Sequence, residues 1–292
     1  MRFGCVMTTG RPASATPERF WWRLASLAPA VLRPAPIRGT EGWAILLPGN
    51  APEFLARAAV RRLQRLGAVT VSVDPAFGVP EVPGQMLHLA AALRAAVNVL
   101  GTMERVMVVG AEGVPGRAAL SWLAGKARYL SIGDAMGARV ERVAERLWWE
   151  TGVAAACQSL WEPGEPWRGD LLVWAPVSTV GMPVRKTSVR LLARLSRVPL
   201  PPGIGSETAI GDGLLAYPPS WPAGWGFPAR WRRCWAGSDE STWPERAFPA
   251  AGAEALVWAV AGKKPSSLGG ARGIEGIWRV ATEAGFTLAG WR

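Results

Sequence analysis

Short apolar runs alternate with longer amphipathic segments over the first hundred residues. The apolar runs have the length and composition of buried strands, and they lie at residues 3–8, 43–47 and 69–73. Two longer segments have helical periodicity and are each followed by a glycine, and they lie at residues 53–66 and 85–100. Alternation of strand and helix is typical of parallel α/β units. We therefore predict a small N-terminal α/β domain over residues 1–100.

The next hundred residues show this alternation more clearly. Apolar strands are predicted at residues 105–109, 129–134, 153–157 and 170–175. After the second strand, one apolar stripe at helical spacing is formed by Val140, Val143, Ala144, Leu147 and Trp148. The first strand runs directly into a glycine-rich turn that opens another helix. This order predicts a Rossmann-like domain with a parallel sheet over residues 101–200.

The last part of the chain is less regular. Residues 199–250 are rich in Pro, Gly and Trp and predict an irregular connection, which is followed by predicted helices at residues 253–262 and 273–285. The 17 tryptophans of the chain favour aromatic packing of such long connections. The sequence thus predicts an α/β protein of two lobes, in which residues 201–292 form a connection and closing helices that pack back on the lobes.

The glycine-rich turn carries the most specific signal for a ligand. Gly110, Gly113 and Gly116 form a variant of the dinucleotide fingerprint, in which the glycines allow a tight turn, close approach of a pyrophosphate, and close packing of helix on strand. Asp134 lies 24 residues beyond Gly110 and ends the next predicted strand, where an acid can accept hydrogen bonds from the adenosine ribose. The sequence therefore predicts NAD or NADP as cofactor, with NAD slightly favoured.

Further cofactor contacts are predicted where the 170–175 strand ends. Ser178 and Thr179 follow this strand, at the crevice where Rossmann dehydrogenases hold the nicotinamide. Two residues of the glycine-rich turn oppose cofactor binding, because Glu112 is negative and Pro115 lacks an N–H. A second interpretation is therefore a Rossmann fold retained without its cofactor, with Asp134 as an ordinary residue at a strand end.

Two residues are candidates for proton transfer. His88 is the only histidine, and its ordinary pKa near neutrality suits a general acid in hydride chemistry. Asp74 follows the predicted 69–73 strand, at the end of the sheet where α/β folds bind their ligands. Each also has a structural interpretation, as a hydrogen-bonded helix residue and as a turn residue before Pro75.

Composition excludes several functional classes. One histidine and three separated cysteines exclude a histidine-ligated metal site, a Ser-His-Asp triad and a disulfide framework, so no metal is expected. The net charge is +11, but the arginines are scattered and the densest group lies only at residues 230–233, so nucleic acid is not the expected partner. No apolar run is long enough to span a membrane, and the N-terminus resembles a strand rather than a signal peptide, so we expect a cytoplasmic protein. The oligomeric state stays open, a homo-oligomer included.

The closing segment carries short motifs at residues 253–259, 266–270, 277–281 and 283–286. In these motifs and in its order of domains, the chain resembles the shikimate-dehydrogenase-like group, which includes acyl-ACP reductases. The resemblance implies an N-terminal α/β domain, a central Rossmann domain with a glycine loop, and a returning pair of C-terminal helices. The chain departs from the family's chemistry, because Ala251 and Gly252 stand where a reductase would carry its cysteine nucleophile, and the N-terminal domain has no lysine.

Together these features predict an NAD(P)-dependent oxidoreductase that transfers a hydride in a cleft between two α/β lobes, to or from a small-molecule or carrier-bound substrate. The alternative is a catalytically degenerate relative that uses the fold for protein interaction or ligand sensing.

Overall fold

The computed structural model describes residues 1–8, 30–32, 40–48, 51–79, 85–134, 137–176, 185–195, 200–218, 220–221, 244, 246–264 and 270–291. The chain divides into two compact units. The first unit comprises Met1–Ala91, Gly213–Ser266 and Ile277–Gly290. The second unit comprises Ala92–Asp212, Ser267–Gly276 and Trp291–Arg292.

A four-stranded sheet forms the centre of the first unit. Its strands are β1 (Arg2–Thr8), β2 (Ala30–Leu32), β3 (Glu41–Leu47) and β4 (Thr70–Val73). They lie in the order β2-β3-β1-β4, with β1 parallel to β3 and β4 and with β2 antiparallel at the edge. Residues on β1 are almost all buried because this central strand is packed against the helical segments at residues 53–65 and 254–260.

Two helices follow the predicted positions closely. Helix α1 (Glu53–Arg65) begins after Pro52 and buries one apolar stripe, formed by Ala56, Ala59, Val60 and Leu63. Helix α2 (Gln85–Leu100) is apolar on nearly every side, and residues 87–93 are buried without interruption. An all-round apolar helix is stable in water only when other elements surround it, so α2 is a core helix.

A six-stranded parallel sheet forms the second unit. Its strands are β5 (Met103–Val109), β6 (Ala127–Ile132), β7 (Ala155–Cys157), β8 (Trp167–Trp174), β9 (Thr187–Arg194) and β10 (Ile204–Ile210). They lie in the order β10-β9-β8-β5-β6-β7, and every pair is parallel. Numbered from β5, this is the order 3-2-1-4-5-6 of a Rossmann fold, which confirms the predicted fold class.

Helices connect only the first half of this sheet in the described part of the chain. Helix α3 (Val114–Leu123) joins β5 to β6 and packs on β5 and β8, and α4 (Ala138–Thr151) joins β6 to β7 and packs on β7. The connection from β7 to β8, residues 158–166, contains no helix. Leu160 of this connection is buried together with Trp167 and Trp174 of β8, so tryptophans supply part of the core of this unit.

Three further strands and two helices complete the description. They are β11 (Gly213–Ala216), β12 (Ala247–Pro249), α5 (Glu254–Val260), α6 (Gly270–Glu283) and β13 (Thr287–Trp291), and the three strands lie in the order β12-β11-β13. The structure therefore has strands inside the 199–250 region for which the sequence predicted an irregular connection. Trp148 also differs from prediction, because it is 53% exposed rather than part of the buried stripe of α4.

None of the helices in the described ranges is long and apolar enough to cross a membrane.

Candidate functional site

The glycine loop occupies the point in the second unit where the strand order reverses. Residues 110–113 follow β5, and α3 begins at Val114. Strand β8 is the neighbour of β5 on the side away from β6, and Ala175 and Pro176 follow it. In open α/β sheets, ligands bind outside the carboxyl ends of the strands at this reversal.

Two of the three glycines are required by close backbone approach. Gly110 has a φ of +87°, and a Cβ added to it would fall on the carbonyl group of Ala175. A Cβ added to Gly116 would fall on the carbonyl oxygen of Gly110. These approaches give the tight turn and the close helix-to-strand packing that the first and last glycines of a dinucleotide fingerprint provide.

Gly113 differs from Gly110 in having an ordinary extended backbone conformation. It is the N-cap of α3, with φ −80° and ψ 161°, which any residue can adopt. Its N–H donates to the Gly110 carbonyl over 3.0 Å. A glycine at this position leaves the start of the helix open, as the middle glycine of the fingerprint does for a pyrophosphate.

Asp134 lies beside this loop, as the sequence predicted, but its carboxylate points into the loop. Its Oδ1 accepts a hydrogen bond from the N–H of Gly110 over 2.6 Å, and its Oδ2 accepts one from the N–H of Ala111 over 2.8 Å. Asp134 is 8% exposed, and burial raises the pKa of its carboxyl above the ordinary value, although the two hydrogen bonds lower it. This geometry makes Asp134 a brace for the loop.

The first turn of α3 keeps donors for an anion. Within the described part of the chain, the N–H groups of Val114 and Gly116 donate no hydrogen bond, and Pro115 between them has no N–H. A helix N-terminus with open N–H groups and a partial positive charge is suited to phosphate. The backbone of this loop therefore fits the pyrophosphate of a dinucleotide.

The charge of Glu112 is partly neutralised. Arg139, at the start of α4, places its Nη1 3.7 Å from Oε2 of Glu112. Both side chains are exposed, so this ion pair is screened by solvent and contributes little to stability. The Arg117 guanidinium donates to the Glu112 carbonyl over 2.8 Å. Two arginines thus lie beside the glycine loop, a feature that the spacing of the glycines does not predict.

The two predicted proton-transfer residues lie in the first unit. Asp74 follows β4 and is 3% exposed, and its Oδ2 accepts a hydrogen bond from the Thr8 hydroxyl over 2.6 Å. Thr8 ends β1, so the two residues meet at the carboxyl ends of adjacent parallel strands. His88 lies in the first turn of α2 and is 6% exposed. The predicted nicotinamide contacts Ser178 and Thr179 lie outside the described residues.

A buried carboxylate in the first unit was not among the predicted site residues. Glu254 begins α5, but its Oε2 accepts the Leu87 N–H of α2 over 3.1 Å and its Oε1 accepts the Trp258 indole N–H over 3.3 Å. Burial raises the pKa of this carboxyl. Its contact with an N–H in the first turn of α2 identifies Glu254 as a tertiary cap of that helix.

Cys5 is not suited to act as a nucleophile. This residue is fully buried on β1, and burial raises the pKa of its thiol to about 12. Nucleophilic cysteines have the opposite shift. Among the described residues, no group of three or more His, Cys, Asp or Glu side chains is arranged to hold a metal ion.

Comparison with known proteins does not assign this chain to a family. No protein-family model matches the chain, and no curated protein matches it. The ligand-free form of 5-ketofructose reductase of Gluconobacter sp. strain CHM43 is similar at 15% identity and a TM-score of 0.34, over 68% of this chain and 79% of that chain. The description of this chain as Rossmann-like rests on its own strand order and glycine loop.

Proposed function

We propose that the second unit binds a nicotinamide dinucleotide at its glycine loop and that the chain is an NAD(P)-dependent oxidoreductase acting on a small-molecule or carrier-bound substrate. The observation that carries the proposal is the coincidence of three features at one place. These are the 3-2-1-4-5-6 strand order, a backbone approach that only glycine allows at Gly110 and Gly116, and open N–H groups at the start of α3.

In this proposal the N–H groups of Val114 and Gly116 bind the pyrophosphate, and Asp134 holds the loop in shape by bonding Gly110 and Ala111. The bound nicotinamide supplies or accepts the hydride. Ser178 and Thr179 stay candidates for contacts with the nicotinamide. His88 and Asp74 stay candidates for proton transfer.

The geometry of the glycine loop is compatible with either NAD or NADP. The sequence favoured NAD because Asp134 was expected to accept hydrogen bonds from the adenosine ribose. Both of its carboxylate oxygens instead accept hydrogen bonds from the loop. Arg139 lies beside the loop, and an arginine at this place can accommodate the 2′-phosphate of NADP. We therefore treat the two cofactors as equal candidates.

The alternative is a catalytically degenerate Rossmann protein with a role in protein interaction or ligand sensing. One observation favours it. Asp134 places a carboxylate on two N–H groups of the loop, and Glu112 adds a second carboxylate to the loop itself. A loop that already holds its own anions has less attraction for a pyrophosphate.

Calorimetric titration of the full chain with NADH and with NADPH distinguishes the oxidoreductase from the degenerate Rossmann protein. Binding of either one in the micromolar range supports the oxidoreductase, and the ratio of the two dissociation constants identifies the cofactor. A chain that binds neither is a scaffold, and the oxidoreductase proposal is then wrong. If binding is found, His88→Gln and Asp74→Asn should leave it unchanged and lower turnover in a substrate screen.

A further inference from the structure

A cavity of about 450 Å³ lies beneath the connection between β7 and β8 in the second unit. Cys157 at the end of β7, Trp167 at the start of β8 and Arg185 before β9 all line it. None of its lining residues belongs to the glycine loop. Its size falls in the range of pockets that hold small molecules.

Arg185 contacts the connection between β7 and β8 through both its backbone and its side chain. Its backbone N–H donates to the Leu160 carbonyl over 3.1 Å. Its guanidinium lies against Gly164, where an added Cβ would fall on Nη2. The Nε of Arg185 is buried and has no hydrogen-bond partner among the described residues. A buried donor without an acceptor is costly, so Arg185 carries an unsatisfied donor at the wall of this cavity.

The cavity holds charges of both signs that do not neutralise one another. Arg105 and Arg185 line it together with Glu162 and Glu165. In the described part of the chain, none of these four side chains forms an ion pair with another residue. Groups of opposite charge around one cavity are complementary to a ligand that itself carries both charges.

The remaining lining defines the ligand more closely. A guanidinium binds a carboxylate through two parallel hydrogen bonds, and carboxylates bind an ammonium group. Trp167 is buried and gives the cavity an apolar wall, and the Gln158 side chain adds a neutral donor and acceptor. A small molecule with one carboxylate, one ammonium and an apolar part satisfies all of these groups at once.

We propose that this cavity binds a small zwitterion of the α-amino acid class, with its carboxylate on Arg185 and Arg105 and its ammonium group on Glu162 and Glu165. The site lies outside the glycine loop and does not depend on dinucleotide binding. An amino acid bound here would serve as a substrate or as an effector. The experiment below tests whether an amino acid binds at this cavity.

The test uses the full chain and the common L-amino acids as probes. Thermal unfolding is followed with each amino acid in turn, and any amino acid that raises the unfolding temperature is titrated by calorimetry. We expect at least one to bind. Its N-acetyl derivative, which lacks the positive charge, and its carboxamide, which lacks the negative charge, should each bind about tenfold more weakly or worse, because each loses a charge-assisted contact.

Variants locate the site. Arg185→Met should abolish the effect, and Arg142→Met, an exposed arginine on α4 outside the cavity, should not change it. The double variant Glu162→Gln and Glu165→Gln changes only exposed side chains, so it tests the ammonium contact even if Arg185→Met does not fold. The proposal is overturned if no amino acid binds, if the N-acetyl derivative binds as well as the parent, or if both sets of cavity variants keep full affinity.

Discussion

Replacing Gly113 by aspartate should strengthen helix α3 and weaken dinucleotide binding at the same time. Gly113 is the N-cap, and its extended backbone conformation is one that aspartate also adopts. An N-cap carboxylate accepts an N–H of the first helical turn, and Pro115 leaves the Gly116 N–H as that donor. Because glycine is already a tolerable N-cap, the gain in unfolding free energy is only about a few tenths of a kcal/mol.

The loss of binding follows from charge. The introduced carboxylate would stand roughly 4 Å from a phosphate bound at the start of α3. At that separation two unit charges repel by about 1 kcal/mol in water and by about 4 kcal/mol at the effective dielectric constant of a protein surface. The dissociation constant should therefore rise between about fivefold and about a thousandfold.

Gly113→Asn is the matched control, because asparagine caps the helix as well as aspartate and has nearly the same shape without the charge. Calorimetry with the preferred dinucleotide and urea unfolding are measured for both variants. The aspartate variant should bind much more weakly than the asparagine variant at equal or higher stability. Equal affinities for the two variants would refute the placement of the pyrophosphate at this helix terminus.

Three further predictions concern carboxylates that accept hydrogen bonds from other parts of the chain. Glu275→Ala removes the acceptor of the buried Trp122 indole N–H and should lower the unfolding free energy by about 2–3 kcal/mol. Glu275→Gln keeps an acceptor and should lower the unfolding free energy by under about 1 kcal/mol. Urea unfolding of both variants tests this, and equal losses would contradict the contact between Glu275 and Trp122. Asp134→Ala leaves the N–H groups of Gly110 and Ala111 buried without acceptors, so it should lower the unfolding free energy by about 2–4 kcal/mol and weaken dinucleotide binding. A variant as stable as the parent in urea unfolding would show that these two hydrogen bonds do not stabilise the loop. Between the ordinary glutamate pKa and the raised pKa of Glu254, the folded chain binds more protons than the unfolded chain, so the unfolding free energy should fall as pH rises across that window. Glu254→Gln should flatten this part of the urea-midpoint profile, and an unchanged slope would argue against a buried Glu254.

The sequence by itself determined the local elements of this protein. Helices α1 and α2 and strands β1 and β5 lie close to their predicted positions, because an apolar stripe or run bounded by Pro and Gly is a local signal. The glycine-rich turn was equally readable, since a strand, a glycine and a helix follow one another directly in the chain. Strands β11 and β12 gave no such signal, because short strands form through partners that lie elsewhere in the sequence. Strand β10 is as long as β1, but it lies at the sheet edge and is mostly exposed, so it has no apolar run.

Only the tertiary structure decided what the carboxylates do. Asp134 was predicted beside the loop, but the pairing of β6 with β5 brings it within hydrogen-bond distance of Gly110 and Ala111, so its oxygens are turned to the backbone. Glu254 begins α5 but also caps α2, by accepting the N–H of Leu87, which lies 167 residues away in the chain. The cavity around Arg185 likewise joins residues of three separate segments. A carboxylate or guanidinium bonds whichever donor or acceptor the folded backbone brings near it, and that distance is set by sheet register and packing rather than by neighbours in sequence.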